Sequence, residues 1–379
     1  MSTELSELAP HFERIAVMPV RPPASPSRHA VPANVEILPW PLVNVQLLAR
    51  AARALARKPR KSVRAVTQIV RSSDPGRLKN LAVALKALAL ADWVMENAFD
   101  HIHAYWMSTP ATVAMVAAAV SDVNWSSTAH RWDIYERNAF DQKAGSVSFV
   151  RTISARGTKD LATRMPSLDG RIMELRLGTA VLVEPSPAPF DDATFHIVCP
   201  AALVPVKGHI DLFAALKQLR GSGVPVRCTL CGTGPLQAEL QAEAAALGLD
   251  DVVEFAGFVP QVILHQWYRA GRFAAVVLAS RNTDERTMEG IPSALIEAMS
   301  FGLPVVATNS GSVAELVDQR CGYVVEAGNP RDLARALSQV YFNPGDAQAR
   351  AQSARKIVWE RHNPSLQMEK LAAAMVRKD

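Results

Sequence analysis

The chain is expected to fold as two α/β domains, each a Rossmann-like, doubly wound parallel sheet, and three observations predict this. Short apolar runs alternate with helical patterns through most of its 379 residues. A proline-rich polar break, EPSPAPFDD, interrupts that alternation near 185–192. In the second half, several apolar runs end directly in glycine-containing turns.

The strand-like runs are RIAVMPV, HIHAYW, VSFVRTIS, MELRLG, FHIVCPAAL, VRCTLCG, VVEFAGF, FAAVVLAS, PVVATN and GYVVEAG. Helical patterns lie between them at 77–97, 109–121, 208–221, 235–248, 261–271, 292–302 and 330–342. The expected domains are 1–184 and 185–346. A helical segment, 347–379, follows FNPGD and is placed to cross back to the first domain. Two such domains flanking a hinge would put a ligand cleft at the carboxyl ends of their strands.

Composition narrows the classes. With 49% hydrophobic and 20% charged residues and no low-complexity tract, the chain is globular. Four scattered cysteines do not make a disulfide framework and favour a reducing compartment. Cys228 and Cys231 form a C-x-x-C, but on a strand they point to opposite faces, which argues against zinc or redox chemistry. His101 and His103 share a strand face without an evident third ligand, so no metal is expected. No run of about 18 apolar residues and no signal-peptide layout occurs, so a cytoplasmic location is expected.

The net charge of +5 is unevenly placed. No acid falls between Ile37 and Ser73, whereas Arg50, Arg53, Arg57, Lys58, Arg60, Lys61, Arg64 and Arg71 do. Arg50, Arg53 and Arg57 fall on one helical face beside Leu48, Ala52 and Leu55. That pattern suits a solvated helix, or a peripheral contact of 45–71 with an anionic membrane. Nucleic acid is not expected, because no aromatic or helix-turn-helix signature accompanies the charge.

Three features of the second half point to one ligand. In LVPVKGHIDL, Lys207-Gly208 sits in a turn between strand and helix, a setting that suits a phosphate. In CGTGP, Gly232 and Gly234 make a tight turn where a base or phosphate can approach main chain. In EGIPSALIEAMSFGLPVVAT, Pro292 near the first helical turn leaves amides free at the positive end of the helix dipole. Glu289 and Glu297, eight apart, would repel a phosphate, so they are expected to accept hydrogen bonds from hydroxyls. Together these describe a sugar-nucleotide site.

On Lys207-Gly208, Gly232-Thr233-Gly234-Pro235, VVEFAGFV, VVLAS, Glu289–Glu297, GLPVVAT and SVAEL, the second half resembles a retaining glycosyltransferase of family 4 with the GT-B fold. In the first half, DHIHAYWMSTPATVA, TAHRWDIYE and SFVRTIS resemble the polysaccharide- and colanic-acid-type members. The resemblance implies a UDP-, GDP- or ADP-sugar donor, a glycan or lipid-linked acceptor, no cofactor and no metal. The basic segment 45–71 would set the protein peripherally on the inner face of the cytoplasmic membrane. Glu297 would bind the ribose hydroxyls, Glu289 the transferred sugar and Lys207 the diphosphate. Gly208, Gly232, Gly234 and Gly290, with the amides of Ile291, Pro292, Ser293, Ala294 and Leu295, would line the donor site. His130 would approach the sugar from the first domain, with Asp133 and Glu136 near it.

The chain departs from that pattern at four places. MSTELSELAPHFERIAVMPV resembles the family's first helix and second strand, so the expectation is a missing first strand and glycine-rich loop and a gap at the sheet centre. Ala202 stands where the family has an arginine on the diphosphate, Gly178-Thr179-Ala180 replaces GVD, and Tyr105 replaces a histidine. A catalytically impaired relative that binds a nucleotide sugar or a partner enzyme is therefore the alternative. A related epimerase or phosphorylase is less favoured, for no pyridoxal-phosphate lysine region matches.

Overall fold

The structure, a computed structural model, describes residues 2–21, 31–71, 76–179, 194–282 and 288–377. The chain divides into two compact units. One comprises Met1–Arg176 with Ser365–Asp379, the other Leu177–Pro364. The division thus lies at Arg176–Leu177. The proline-rich stretch 185–192 falls outside the described residues.

In the first unit, β1 (Ile15–Val17) pairs in parallel with β2 (Val35–Ile37). A separate parallel sheet has the order β3 (His101–Ala104), β4 (Asn124–Ala129), β5 (Val150–Thr152) and β6 (Ile172–Glu174). Among the described residues, no strand pairing joins these two sheets. Strand β4, NWSSTA, carries no apolar run, and the sequence reading passes over it. It is nevertheless central, with Ser126, Ser127 and Thr128 fully buried. Its hydroxyls find partners inside: Ser126 meets His101 and His103 at 2.7 Å, Thr128 meets His103 at 2.9 Å, and Ser127 donates to the Ala104 carbonyl. The two histidines are thereby explained as sheet-face hydrogen-bonding partners. Strand β2, only three residues long, is likewise missed.

The expected helix 77–97 is two, Arg77–Ala82 and Ala84–Glu96, because Val83 leaves the helical path. The basic segment forms helices Val45–Arg57 and Pro59–Val70. Arg50, Arg53 and Arg57 do share a face, and all three converge on one acid. Asp92, with a fully buried side chain, receives all three at 2.9–3.1 Å, and Arg50 also reaches Glu96. A buried carboxylate needs such partners. These three charges are therefore paired within the fold, while Arg53 and Arg57 stay exposed to solvent.

Three other cations, unlike these arginines, are fully buried in this unit. Arg151 pairs with Glu4 at 2.6 Å and donates to the Leu175 and Arg176 carbonyls. This ties helix Ser2–Leu8 to β5, and Tyr105 donates to the same carboxylate. Burial works against the Glu4 charge, yet Arg151 and Tyr105 hold its carboxyl below the ordinary value. Lys86 caps the Pro19, Val20 and Trp40 carbonyls at 2.7–3.0 Å, and burial pushes its ammonium down to about 8. Lys143 donates to the Met107, Ser108 and Asn138 carbonyls. Helix Pro364–Val376 sets Met368, Leu371 and Met375 against Phe149, Leu175, Leu8 and Phe12.

The second unit is one six-stranded parallel sheet. It contains β7 (Phe195–Cys199), β8 (Val226–Cys231), β9 (Val253–Gly257), β10 (Ala275–Leu278), β11 (Val305–Asn309) and β12 (Tyr323–Glu326) in the order β12-β11-β10-β7-β8-β9. The order reverses between β7 and β10, so a crevice is expected where their carboxyl ends diverge. Helices His209–Gly221, Gln237–Ala246, Gln261–Arg269, Ser293–Ser300 and Pro330–Phe342 cover the faces, as the alternation predicts, and Pro344–Arg361 follows. Cys199, Cys228 and Cys231 are free thiols in this core, with Cys199 pushed up to about 12 by burial.

Burial holds His101, His196 and His209 down to about 4, and His103 well below its usual value. Unfolded histidines take up protons near 6.5. Between those values the unfolded state binds more protons, so stability must fall as pH drops from about 6.5 toward 4. Urea unfolding at pH 7, 6 and 5 is expected to lose at least about 1 kcal/mol over the last step, where carboxylates still carry charge. Constant stability over that range would mean the imidazoles are not held neutral.

Candidate functional site

The carboxyl ends of β7 and β10 bring Lys207 and Glu289 together. Residues 205–207 form a 3-10 turn after β7, closed by Gly208 in the left-handed region at φ +62°. A Cβ on Gly208 would lie 1.9 Å from the Ala279 carbonyl oxygen, so the turn fits only with glycine. The Arg281 amide donates to the Val206 carbonyl at 2.8 Å, locking the turn to the loop after β10. Lys207 Nζ then reaches Glu289 Oε2 at 2.6 Å, and Ser280 Oγ donates to the same oxygen at 2.8 Å. Both charged side chains are largely buried.

Gly311 fixes the backbone of Glu289. At φ +57°, its Cβ position lies 1.8 Å from the Glu289 carbonyl oxygen, which also accepts from the Ser312 amide. Asn282 accepts from the Gly311 amide and from Ser310. Ser280, Asn282 and Gly311 are supporting residues that the sequence reading does not single out. The S-x-N order after an apolar run is too common to mark them.

Gly232 and Gly234 serve packing rather than a ligand on the side a Cβ would occupy. There each abuts the chain's own backbone, Ala201 at 2.0 Å and Leu203 at 2.3 Å. The Ala201, Leu203 and Leu236 amides donate to the Cys231, Thr233 and Leu203 carbonyls respectively and zip the two loops together. Ala202, in the position where the family has an arginine, is exposed on this pair of loops.

Helix Ser293–Ser300 begins at Pro292 with no side-chain cap. The amide set is smaller than the span 291–295 suggests: Pro292 has no N–H, and the Leu295 amide is spent on the Pro292 carbonyl. Among the described residues, the amides of Gly290, Ile291, Ser293 and Ala294 donate no intrachain hydrogen bond. Those orphan donors at a helix N-terminus can receive an anion. The Ile291 and Leu295 side chains are buried in the core and hold the helix start in place. Among the described residues, nothing lies within 4 Å of the Cβ position of Gly290.

Glu297, in the same helix, accepts from Gln261 Nε2 at 2.8 Å and lies 3.2 Å from His265 Nε2. His265 is wedged against Phe301 and Tyr268, with ring centroids at 4.8 and 6.3 Å. Gln261 and His265 are two more residues that sequence reading misses, since they come from a different helix. The carboxylate is thus presented by two donors that a ligand hydroxyl could replace.

In the first unit, His130 follows β4 and its backbone amide donates to Asp133. Its Nδ1 lies 3.6 Å from the Asp133 carboxylate and is buried with no hydrogen bond among the described residues. Glu136 instead pairs with Lys79. Among the described residues, no group of three or more His, Cys, Asp or Glu is placed to hold a metal ion.

Replacing Gly208 or Gly311 by alanine adds a clash with backbone to a strained φ. Each variant is expected to lose roughly 3 kcal/mol or more of stability in thermal or urea melts. A melt unchanged in Gly311→Ala would mean that Glu289 is not held by this contact.

Residues 184–357 match the family "Glycosyl transferases group 1". The chain is 35% identical over 156 residues to a putative colanic acid biosynthesis glycosyltransferase, WcaL, of Escherichia coli, spanning 41% of this chain and 38% of that protein. It is 30% identical over 183 residues to the amylovoran biosynthesis glycosyltransferase AmsK of Erwinia amylovora, spanning 48% and 44%. The chain thus covers under half the length of each of these relatives. In structure it is similar to Anabaena Alr3699/HepE, solved in complex with UDP, at TM-score 0.65 and 20% identity over 76% of this chain and 80% of that one. It is also similar to the sucrose-phosphate synthase of Thermosynechococcus elongatus, at TM-score 0.73 and 16% identity over 98% and 91%. The fold is GT-B, and residues 184–357 match the glycosyl transferases group 1 family.

Proposed function

We propose that this chain is a glycosyltransferase that moves a sugar from a nucleotide-sugar donor to a glycan or lipid-linked acceptor, with retention of anomeric configuration, in exopolysaccharide or cell-envelope glycan synthesis. The observation that carries this reading is the Lys207–Glu289 ion pair beside the orphan amides of Ile291, Ser293 and Ala294. A cation, a carboxylate and free amides meet there, matching a diphosphate and the hydroxyls of a sugar. The relatives' names support the polysaccharide setting, and some relatives are described as GDP-mannose-dependent while HepE binds UDP and UDP-glucose. The nucleotide is therefore a uridine or guanosine diphosphate in the first experiments, with ADP-sugars as the third choice.

In this reading the donor diphosphate draws Lys207 away from Glu289 and receives the amides. Glu289 and Glu297 then accept hydrogen bonds from the sugar and ribose hydroxyls. The acceptor hydroxyl adds to the anomeric carbon on the face the diphosphate leaves, and the departing phosphate oxygen takes its proton. Lys207 and the amides stabilise the charge that develops on the leaving group, with no metal required.

Membrane contact through 45–71 is proposed with changed contacts. Asp92 engages Arg50, Arg53 and Arg57, so the contact falls to Arg60 and Arg64 and to exposed Val45, Leu48, Leu55 and Val63. No helix among the described residues is long and apolar enough to cross a membrane. The impaired-relative reading keeps one observation in its favour, the exposed Ala202 where an arginine would meet the diphosphate.

UDP-, GDP- and ADP-sugars should be tested for binding and turnover, with and without a chelator. One donor is expected to turn over in its presence; binding without turnover would favour the impaired relative, and no binding would overturn both readings. Lys207→Ala is expected to lower turnover at least about 100-fold. Normal turnover in that variant would place the diphosphate elsewhere. Glu297→Ala is expected to weaken donor binding roughly 10-fold or more, which calorimetry can check; unchanged affinity would remove its ribose role.

A further inference from the structure

We propose that Trp106 and Trp132 form a stacking subsite for a pyranose ring of the acceptor, with His130 at its floor; this rests on the glycosyltransferase reading and names how the acceptor is recognised. Both tryptophans follow the carboxyl ends of adjacent parallel strands, Trp106 after β3 and Trp132 after β4, the edge where α/β sheets take ligands. Both are exposed, Trp106 by 41% and Trp132 by 67%. Both side chains therefore offer an aromatic face to solvent at the edge where such sheets take ligands.

The geometry suits a sugar. The Trp106 ring lies 5.6 Å from the His130 ring at 32°, and Tyr105 lies 5.2 Å from it. Tyr105 cannot turn outward, because its hydroxyl donates to buried Glu4. The three rings therefore form a fixed aromatic corner whose outer face is Trp106. The backbone beneath it is equally fixed, since Lys143 Nζ holds the Met107 and Ser108 carbonyls at 2.8 and 2.9 Å. A rigid indole face loses little entropy on binding, and the C–H face of a pyranose is the apolar, weakly positive surface that a π-cloud attracts. Hydroxyls at the ring's edge would then meet the edge of the His130 imidazole that stands beside the indole.

The test is saturation-transfer NMR on the full chain with methyl glucoside, galactoside and mannoside as probes, in parallel with calorimetry of UDP and GDP. At least one pyranoside is expected to receive saturation at its ring C–H protons. Trp106→Ala and Trp132→Ala should each weaken that binding roughly 10-fold, Trp106→Phe should restore much of it, and Trp359→Ala, an exposed tryptophan of the second unit, should leave it unchanged. Equal binding by wild type and both alanine variants would overturn the subsite. So would a chain that binds nucleotide but saturates no pyranoside. A chain that binds neither UDP nor GDP, yet loses a pyranoside signal in Trp106→Ala, would overturn the donor reading and keep the subsite.

Discussion

The second unit depends on places where backbone meets backbone too closely for any side chain. In a parallel sheet every strand ends on the same edge, so the loops there crowd one another. Gly208 against Ala279, Gly232 and Gly234 against Ala201–Leu203, and Gly311 against Glu289 are the contacts that let those loops interlock. Once interlocked, they leave little choice for Lys207 and Glu289, which meet across the ends of β7 and β10. The site is thus built first from main chain, and its charges are hung on a rigid frame.

In the first unit the organising force is the need to satisfy buried charge. Removing an ammonium or guanidinium from water is costly unless acceptors surround it. Lys86, Lys143 and Arg151 each solve this with backbone carbonyls, and Arg151 adds Glu4. Asp92 is the converse case, one acid served by three arginines. These clusters pin loops and terminal helices that apolar packing alone would hold loosely. Segment Tyr105–Ser108 is a direct beneficiary.

Much of the candidate site was legible because its chemistry is local in sequence. Lys207-Gly208 lies in one turn, and Glu289, Pro292 and Glu297 lie within nine residues. The supporting partners were not legible, because Ser280, Gln261 and His265 reach their carboxylates from other elements. Strand β4 was illegible for another reason. Pattern reading equates a buried strand with an apolar run, whereas its serines and threonine are buried as hydrogen-bond partners of His101 and His103. The arginine face of helix Val45–Arg57 was read correctly as a face, but periodicity does not say toward what a face is turned.

The sequence by itself determined the alternation of strands and helices, and hence parallel sheets, since hydrophobic period and turn residues are properties of contiguous chain. It also determined which glycines, carboxylates and lysine stand at strand ends in the second unit. Only the tertiary structure decided which partner each charge takes: Glu289 for Lys207, Glu4 for Arg151 and Asp92 for the three arginines. It decided as well that Gly232 and Gly234 face the chain's own backbone. The physical reason is that a pairing energy depends on distance and burial, and both are set by residues tens to hundreds of positions apart.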